Sequence, residues 1–391
     1  MVDSQNKLIK MQNKVNMIFS GRNYTAILKK AVKEGSEQIL KKILSSGLRG
    51  RGGAGFHTAM KWKMAAEQNS SEKYVICNAD EGEPGTFKDR EILKSVPENV
   101  FLGMAICAAA IGAKKGFIYL RGEYNFMKEA VAKKMNEFNR DIKSIIDFEI
   151  SIFSGSGAYI CGEETSLIES MEGRRGEPRN KPPFPVVSGY LGRPTVINNV
   201  ETLVYAGVIM DIGPQKFFNL GTQDSRGAKV FSVSGDTPIA GIYELELGMK
   251  LDEFVEIFGD GDTKAVQVGG ASGFCVPRKK FAETIIGFEG VPTGGSMMLF
   301  NSSRSMYNVL HNYLDFFCEE SCGQCTPCRV GCRQMKLGIE AVKQRKISPS
   351  HLQELKKMGK TMRLASKCGL GQSVPNAFDS IMDNFIEEML Y

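Results

Sequence analysis

The residues best placed to do chemistry are cysteines. Of ten in the 391-residue chain, five fall between positions 318 and 332, and Cys368 follows. Cys322, Cys325 and Cys328 are each separated by two residues. Three thiolates this close suit an iron–sulfur cluster, whose irons are held near one another by cysteine sulfur. A fourth ligand is required. Cys332 completes a ferredoxin-like C-x2-C-x2-C-x3-C spacing, but Arg333 stands where that pattern has proline. Cys368, within Lys367-Cys368-Gly369-Leu370-Gly371, is the rival, and a glycine loop between two helical stretches favours it. Zinc is the competing metal. Its sites bring paired C-x2-C knuckles or a histidine, and neither His311 nor His351 is spaced to join the triplet. Cys77, Cys107, Cys161 and Cys275 lie singly in apolar or glycine-rich stretches and read as small buried hydrophobes.

Two kinds of loop are the next candidates. Gly50-Arg51-Gly52-Gly53-Ala54-Gly55 satisfies G-x-G-x-x-G. A dinucleotide fingerprint must follow a strand, and the residues before this one look helical, so the ordinary Rossmann reading fails. Its backbone N–H groups can still cradle a phosphate, with Arg49, Arg51 and Lys61 adding charge; a structural turn is the alternative. Asp80, Glu81 and Glu83 crowd a second turn. Packed carboxylates repel unless something uses them, and ribityl or ribose hydroxyls would do so; a solvated acidic turn is the alternative. Glu163 and Glu164 follow another strand and glycine pair, where acids also stabilise a helix N-terminus against its dipole. Lys181-Pro182-Pro183-Phe184 is either a rigid loop that stacks an aromatic on a ligand ring or an ordinary surface loop.

These loops need elements to hold them. The pattern predicts helices in residues 1–48, with Ile39, Leu40, Ile43 and Leu44 on one face and Gly47 as the stop. Tyr74–Cys77 reads as a buried strand. A helix near 91–113, a strand at 116–120, a helix at 124–138, a strand at Phe148–Phe153 and a helix from about Glu163 follow. This alternation argues for an α/β domain with a mostly parallel sheet. Residues 173–195 form a long Pro/Gly/Arg-rich loop, a length that points to function. Asn198 and Asn199 open a helix to about 212. Over 226–300, strands, a helix on Leu251, Phe254, Val255 and Phe258, and returning strands suggest a small α+β unit. From 303 the pattern is helical, with a helix start at Ser348-Pro349 and an amphipathic face on Phe378, Ile381, Met382, Phe385 and Ile386.

Composition excludes other classes. Hydrophobic content of 42% and charged content of 24% are those of a globular protein, and the length suits two or three domains. The net charge of +6 comes from scattered lysine pairs without an aromatic-interleaved stripe, which argues against a nucleic-acid partner. No hydrophobic signal region opens the chain. The longest apolar run, Val100 to Ala113, is too short to span a bilayer. A cytoplasmic chain with clustered cysteines favours metal binding over disulfides.

Five segments then converge. They are Gly50–Phe56 with Lys61-Trp62, Asn78–Gly85, Gly157–Thr165, Pro194–Thr202 and Glu320–Arg329. Together, and in this order, they resemble the NADH-binding flavoprotein (51 kDa) subunit of complex I and the related diaphorase subunits of NAD-linked hydrogenases and formate dehydrogenases. The resemblance runs from about residue 20 to the C-terminus. It implies an atypical Rossmann-like FMN/NADH domain over 1–220, a β-grasp domain of the SLBB type over 221–302, and a helical bundle with one [4Fe–4S] cluster over 303–391. It implies hydride transfer between NAD(H) and FMN N5, then single-electron transfer through the cluster. Carried over by position, Gly50, Gly52, Gly53, Lys61, Asn78, Asp80, Glu81, Gly162, Glu163, Glu164, Ile197, Asn198, Asn199 and Thr202 would hold FMN, and Tyr159 is a further cofactor-binding candidate. Phe56, Glu83, Glu164, Lys181 and Phe184 would meet NADH, with Glu83 and Glu164 nearest the chemistry. The cluster ligands would be Cys322, Cys325, Cys328 and Cys368. Expected partners are a 24 kDa-type thioredoxin-like [2Fe–2S] subunit and an iron–sulfur catalytic subunit of a hydrogenase, formate dehydrogenase, complex I or electron-bifurcating assembly. Two positions depart from the family. Met64 stands where a second aromatic would help clamp adenine, and Cys332 stands where Thr is usual. The thioredoxin-like and ferredoxin-like extensions of larger relatives are not in this sequence, so electrons are expected to pass through separate subunits.

Overall fold

The computed structural model describes residues 15–390. The part of the expected N-terminal helical stretch that falls on residues 1–14, like the opening segment read for a signal region, lies outside them. Helices Tyr24–Glu34 and Ser36–Ser45 follow. Ile39 and Ile43 are buried as expected, while Leu44 turns to solvent and leaves that face.

A parallel sheet forms the first layer: β1 (Tyr74–Ala79), β2 (Lys115–Leu120), β3 (Glu149–Ser154) and β4 (Thr195–Asn199), in the order β3-β2-β1-β4. All three pairings are parallel. The strand order reverses at the β1/β4 border, the place where such sheets open a crevice at their carboxyl ends. β4 is not among the strands expected from the sequence, because only five residues separate the long loop from the next helix. The helix expected near 91–113 is two helices, Lys88–Ser95 and Pro97–Ile111, broken at Val96 by the proline that starts the second. The second packs on helix Val200–Ile212 across the sheet's covered face. At Gly103 a Cβ would lie 2.0 Å from the Leu203 carbonyl oxygen, so glycine sets how closely these helices approach.

A second sheet follows: β5 (Ala228–Gly235), β6 (Gly241–Glu246), β7 (Thr263–Val268), β8 (Phe274–Pro277) and β9 (Ser296–Asn301), ordered β6-β5-β9-β7-β8. β5 and β9 run parallel; the other pairs are antiparallel. Helix Leu251–Phe258 closes this unit through Leu251, Phe254 and Phe258.

Helices Met306–Glu320, Thr326–Lys343, His351–Ala365 and Gly369–Asn384 pack together at the C-terminal end, followed by the short helix Ile386–Leu390. The helix expected from Pro349 begins at His351, with Ser348 to Ser350 forming the turn before it. Cross-ties hold this region to the second sheet. Ser380 Oγ accepts from Cys275 N at 2.9 Å, and Asn376 Nδ2 donates to the Ser272 carbonyl at 2.8 Å. Among the described residues no single helix is long and apolar enough to cross a membrane; the pair broken at Val96 reaches that length only jointly, and is bent by 96°.

Candidate functional site

The carboxyl ends of β1 and β4 open onto two adjoining cavities of about 620 and 430 Å³. Every residue predicted to bind the flavin or nucleotide lines one or the other. Gly50, Phe56, Lys61, Glu164, Lys181, Phe184, Ile197, Asn198 and Thr202 line the larger. Gly53, Asp80, Glu81, Glu83 and Tyr159 line the smaller, and Gly52, Asn78, Gly162, Glu163 and Asn199 line both. Gly369, the residue after Cys368, also lines both.

The glycine loop is not a strand-to-helix turn. It closes on itself through Gly50 N–H to the Phe56 carbonyl at 2.8 Å, and Thr202 Oγ1 accepts from Arg51 N at 2.8 Å. Gly53, at φ +123°, has open space where a Cβ would stand, so ligand can approach its backbone. Of the three cations expected to face a phosphate, only Lys61 lines the cavities. Arg49 folds over the Phe288 ring at 4.0 Å and bonds the Gly55 carbonyl. Arg51 is 1% exposed and points away, toward Tyr205 and Phe217. Its guanidinium donates to the Arg226 carbonyl at 2.5 Å, and a buried ionic network lies beneath the loop. Lys88 Nζ pairs with Asp89 at 2.6 Å and Glu201 at 2.8 Å, and Lys229 Nζ bonds the Arg51 carbonyl at 2.6 Å and Glu201 at 3.3 Å. No sequence motif marks this network. Lys88, Glu201 and Lys229 are far apart in the chain, and only the fold reveals that all three are buried.

The acidic residues divide by role. Glu81 is committed to local structure. Its carboxylate accepts from Asp89 N at 2.8 Å, Arg90 N at 3.0 Å and the Tyr124 hydroxyl at 2.9 Å, capping helix Lys88–Ser95. Burial, with Asp89 alongside, pushes it up to about 7. Glu163 caps helix Glu164–Met171, accepting from Thr165 N and Ser166 N, so the dipole explanation holds for this glutamate. Glu164 instead takes Lys61 Nζ at 3.0 Å and Lys181 Nζ at 3.1 Å. Burial alone would raise its carboxyl, but the two lysines outweigh that and hold it below the usual range. Glu83 is gripped from two sides, by the Tyr159 hydroxyl at 2.7 Å and by Ser272 N and Oγ at 3.0 and 2.7 Å. Ser272 comes from the loop after β7, and nothing in its sequence context points to this role.

Asp80 is different. Its Oδ2 is shielded and has no hydrogen-bond partner, and burial pushes its carboxyl up to about 7. An orphaned acceptor facing a cavity is the feature a hydroxyl-bearing ligand would satisfy. At the mouth, Phe56 (48%), Met64 (42%) and Phe184 (52%) expose apolar surface, so Met64 does occupy the wall where an aromatic was expected. Polar backbone and Lys61 inside, an unpaired carboxylate and apolar rings outside together fit FMN with a nicotinamide nucleotide above it.

The cysteines lie behind Gly369. Cys325 and Cys368 occupy the N-cap positions of helices Thr326–Lys343 and Gly369–Asn384, and neither thiol caps its helix. Cys328 lies in the first turn of the former. Both helix N-termini, with their partial positive charge, come together here: a Cβ on Gly371 would lie 2.9 Å from Cys328 Cβ. Burial pushes both the Cys322 and the Cys368 thiol up, and nearby main-chain N–H groups, of Gln324 for the first and of Leu370 and Gly371 for the second, act against it. Cysteine thiols gathered at two adjoining helix starts are the donor set that suits an iron–sulfur cluster. Cys332 Sγ is 3.9 Å from Cys328 Sγ; the hydrogen bond between them holds Cys328 below the ordinary thiol range and Cys332 above it. His311 is engaged by Glu340 at 2.7 Å. Cys77, Cys107, Cys161 and Cys275 are buried, as expected.

Known proteins share this geometry and the sequence behind it. A profile of the Nuo51 FMN-binding domain matches residues 43–206, and one of the NADH-ubiquinone oxidoreductase-F iron–sulfur binding region matches residues 308–391. The NAD-reducing hydrogenase HoxS subunit alpha of Cupriavidus necator is 43% identical over 96% of this chain, which spans 64% of that protein. The NADP-reducing hydrogenase protein HndC of Solidesulfovibrio fructosivorans is 39% identical, with 90% and 75% covered. An NADH-quinone oxidoreductase F-type chain of Rhizobium meliloti is 36% identical, with 95% and 92% covered. A crystal structure of an NAD+-reducing [NiFe]-hydrogenase in the H2-reduced state superposes with a TM-score of 0.88 at 40% identity, covering 94% of this chain and 64% of that one.

Proposed function

The chain belongs to the family of the 51 kDa flavoprotein subunit of complex I and its hydrogenase counterparts, an oxidoreductase family that uses FMN, NAD(H) and a [4Fe–4S] cluster, and on that premise we propose that it is the NAD(H)-linked diaphorase subunit of a soluble, cytoplasmic multi-subunit redox complex. FMN when bound supplies acceptance of a hydride from NADH, and the cluster supplies carriage of single electrons. The chain's own residues position and insulate. Lys61 lies where it would meet flavin phosphate or ring oxygens; its ammonium is already oriented by Glu164 and the Ile197 carbonyl. Asp80 would take ribityl hydroxyls. Phe56 and Phe184 would flank the nucleotide at the mouth, excluding water from the reacting rings. Glu83 and Glu164 would orient the nicotinamide and ribose and tune the flavin. No side chain need act as acid or base.

The observation that carries this reading is Gly369. It lines both cavities and directly follows Cys368, so the residue that would hold the cluster is the chain neighbour of one that would meet the flavin. The cluster is assigned to Cys322, Cys325, Cys328 and Cys368. The strand order β6-β5-β9-β7-β8 supports an SLBB-type β-grasp unit over 221–302, between the flavin domain at 1–220 and the bundle at 303–391. Greater identity to the hydrogenase protein than to the quinone oxidoreductase chain supports a hydrogenase-type complex, with formate dehydrogenase and electron-bifurcating assemblies as its relatives. A 24 kDa-type [2Fe–2S] subunit and an iron–sulfur catalytic subunit are the expected partners.

The test is an anaerobic visible spectrum before and after NADH, with iron and flavin assayed on one sample. A flavin band that bleaches, with about four irons per chain, is the expected result. Iron without flavin would replace this reading with a non-enzymatic electron relay.

A further inference from the structure

Cys332 stands one helical turn beyond Cys328 on helix Thr326–Lys343, and residues four apart share a helix face. Its Sγ lies 3.9 Å from that of Cys328, and its residue is 1% exposed. On the other side of the same sulfur, Ser321 Oγ stands at 3.2 Å. At Cys328 the donors are side chains, so their number and strength depend on residue choice.

We propose that Cys332 is a positioning residue: its thiol donates to the ligating sulfur of Cys328 and, with Ser321, holds the reduction potential of the cluster up. Reduction adds a negative charge that is shared onto the ligand sulfurs. A donor aimed at one of them therefore stabilises the reduced state more than the oxidised one. Because the same helix bears both thiols, donor and ligand keep their spacing if the helix shifts. A [4Fe–4S] cluster takes four cysteines, and with Cys368 as the fourth, Cys332 stays protonated and free to donate. Behind it lies a cleft of about 390 Å³ edged by Cys318, Arg329, Arg333 and Lys336. These cations act in the same direction, from positions that salt screens.

This inference rests on the cluster reading above. The experiment compares the intact flavin- and iron-loaded protein with its Cys332→Ala and Cys332→Ser variants, by iron assay and by a potentiometric titration followed by electron paramagnetic resonance. Cys332→Ala should keep its irons while the reduced-to-oxidised ratio at fixed potential falls roughly threefold. At 59 mV per decade for a one-electron couple, that is about 28 mV more negative. Cys332→Ser, which retains a donor, should return toward the unaltered value. An unmoved midpoint in Cys332→Ala overturns the proposal, as does loss of irons, which would make Cys332 a ligand. If Cys332→Ala does not fold, a midpoint in Cys332→Ser lower than in Ser321→Ala also overturns it, because a retained hydroxyl donor must not cost more than a lost one. Absence of iron from the unaltered protein would instead remove the cluster reading itself.

Discussion

The flavin cavities are assembled from across the chain: residues 50–56, 78–83, 159–164, 181–184, 197–202 and 269–272 all contribute to their walls. The cysteine pocket takes three of its four proposed ligands from seven consecutive residues and only Cys368 from elsewhere. The first is held by buried charge and by a loop returned on itself; the second by two helix starts. The difference teaches where each site is vulnerable. A dispersed site fails when a distant support is removed. A local one fails only when a ligand is.

The sharpest way to break that comparison is Cys368→Ala. It should abolish the cluster absorbance, since a cubane lacking one thiolate has no replacement ligand in the expected geometry. A full complement of iron in this variant would return Cys332 to the ligand set. Next in size is Lys88→Met, on the floor of the smaller cavity, which leaves Glu201 and Asp89 under-compensated in the interior. Stability should fall by about 3–5 kcal/mol, read by denaturant unfolding. A loss below about 1 kcal/mol would mean the network is not a support for the glycine loop.

Glu164→Ala should lower NADH–dye kcat/KM roughly tenfold to a hundredfold, the worth of one or two charge-assisted hydrogen bonds, with iron content unchanged. Unchanged activity would remove Glu164 from the nucleotide side. The smallest effect concerns Asp80 in flavin-free protein. Its folded-state value of about 7 lies above the ordinary 3.8, so the folded state holds the extra proton between them. Stability therefore falls as pH rises across that window. Asp80→Asn should stabilise the flavin-free chain at pH 8 by on the order of 1 kcal/mol, discounted for its partial exposure, and change little at pH 4. Equal gains at both pH values would point to packing rather than charge.

The iron–sulfur region is legible in the sequence because the spacing of Cys322, Cys325 and Cys328 is local, whereas the choice of Cys368 as the fourth ligand comes from the resemblance. The parallel sheet is legible in its strand–helix alternation for the same reason. The flavin cavities need five motifs taken together, since no single one of Gly50–Gly55, Asp80–Glu83 or Glu163–Glu164 excludes a plain structural role. Two of those plain roles are real: Glu81 and Glu163 cap helices. Arg49 and Arg51 look like phosphate ligands because charge beside a glycine loop usually faces the ligand. Here Phe288 takes Arg49, and the Arg226 carbonyl with the Tyr205 and Phe217 rings takes Arg51. β4 escapes notice because five residues carry too little periodicity, and Ser272 because its partner Glu83 is 189 positions away.

The helix that starts at Cys368 also carries Asn376, which bonds the Ser272 carbonyl, while Ser272 grips Glu83 at the flavin wall. This chain of contacts implies an order of maturation. A cluster held by Cys368 as proposed would fix the start of that helix, the helix would fix the loop, and the loop would complete the cavity wall. A cell short of iron would then accumulate protein that is poorly flavinated as well as iron-free, and reconstitution with flavin before iron should fill fewer sites than the reverse order.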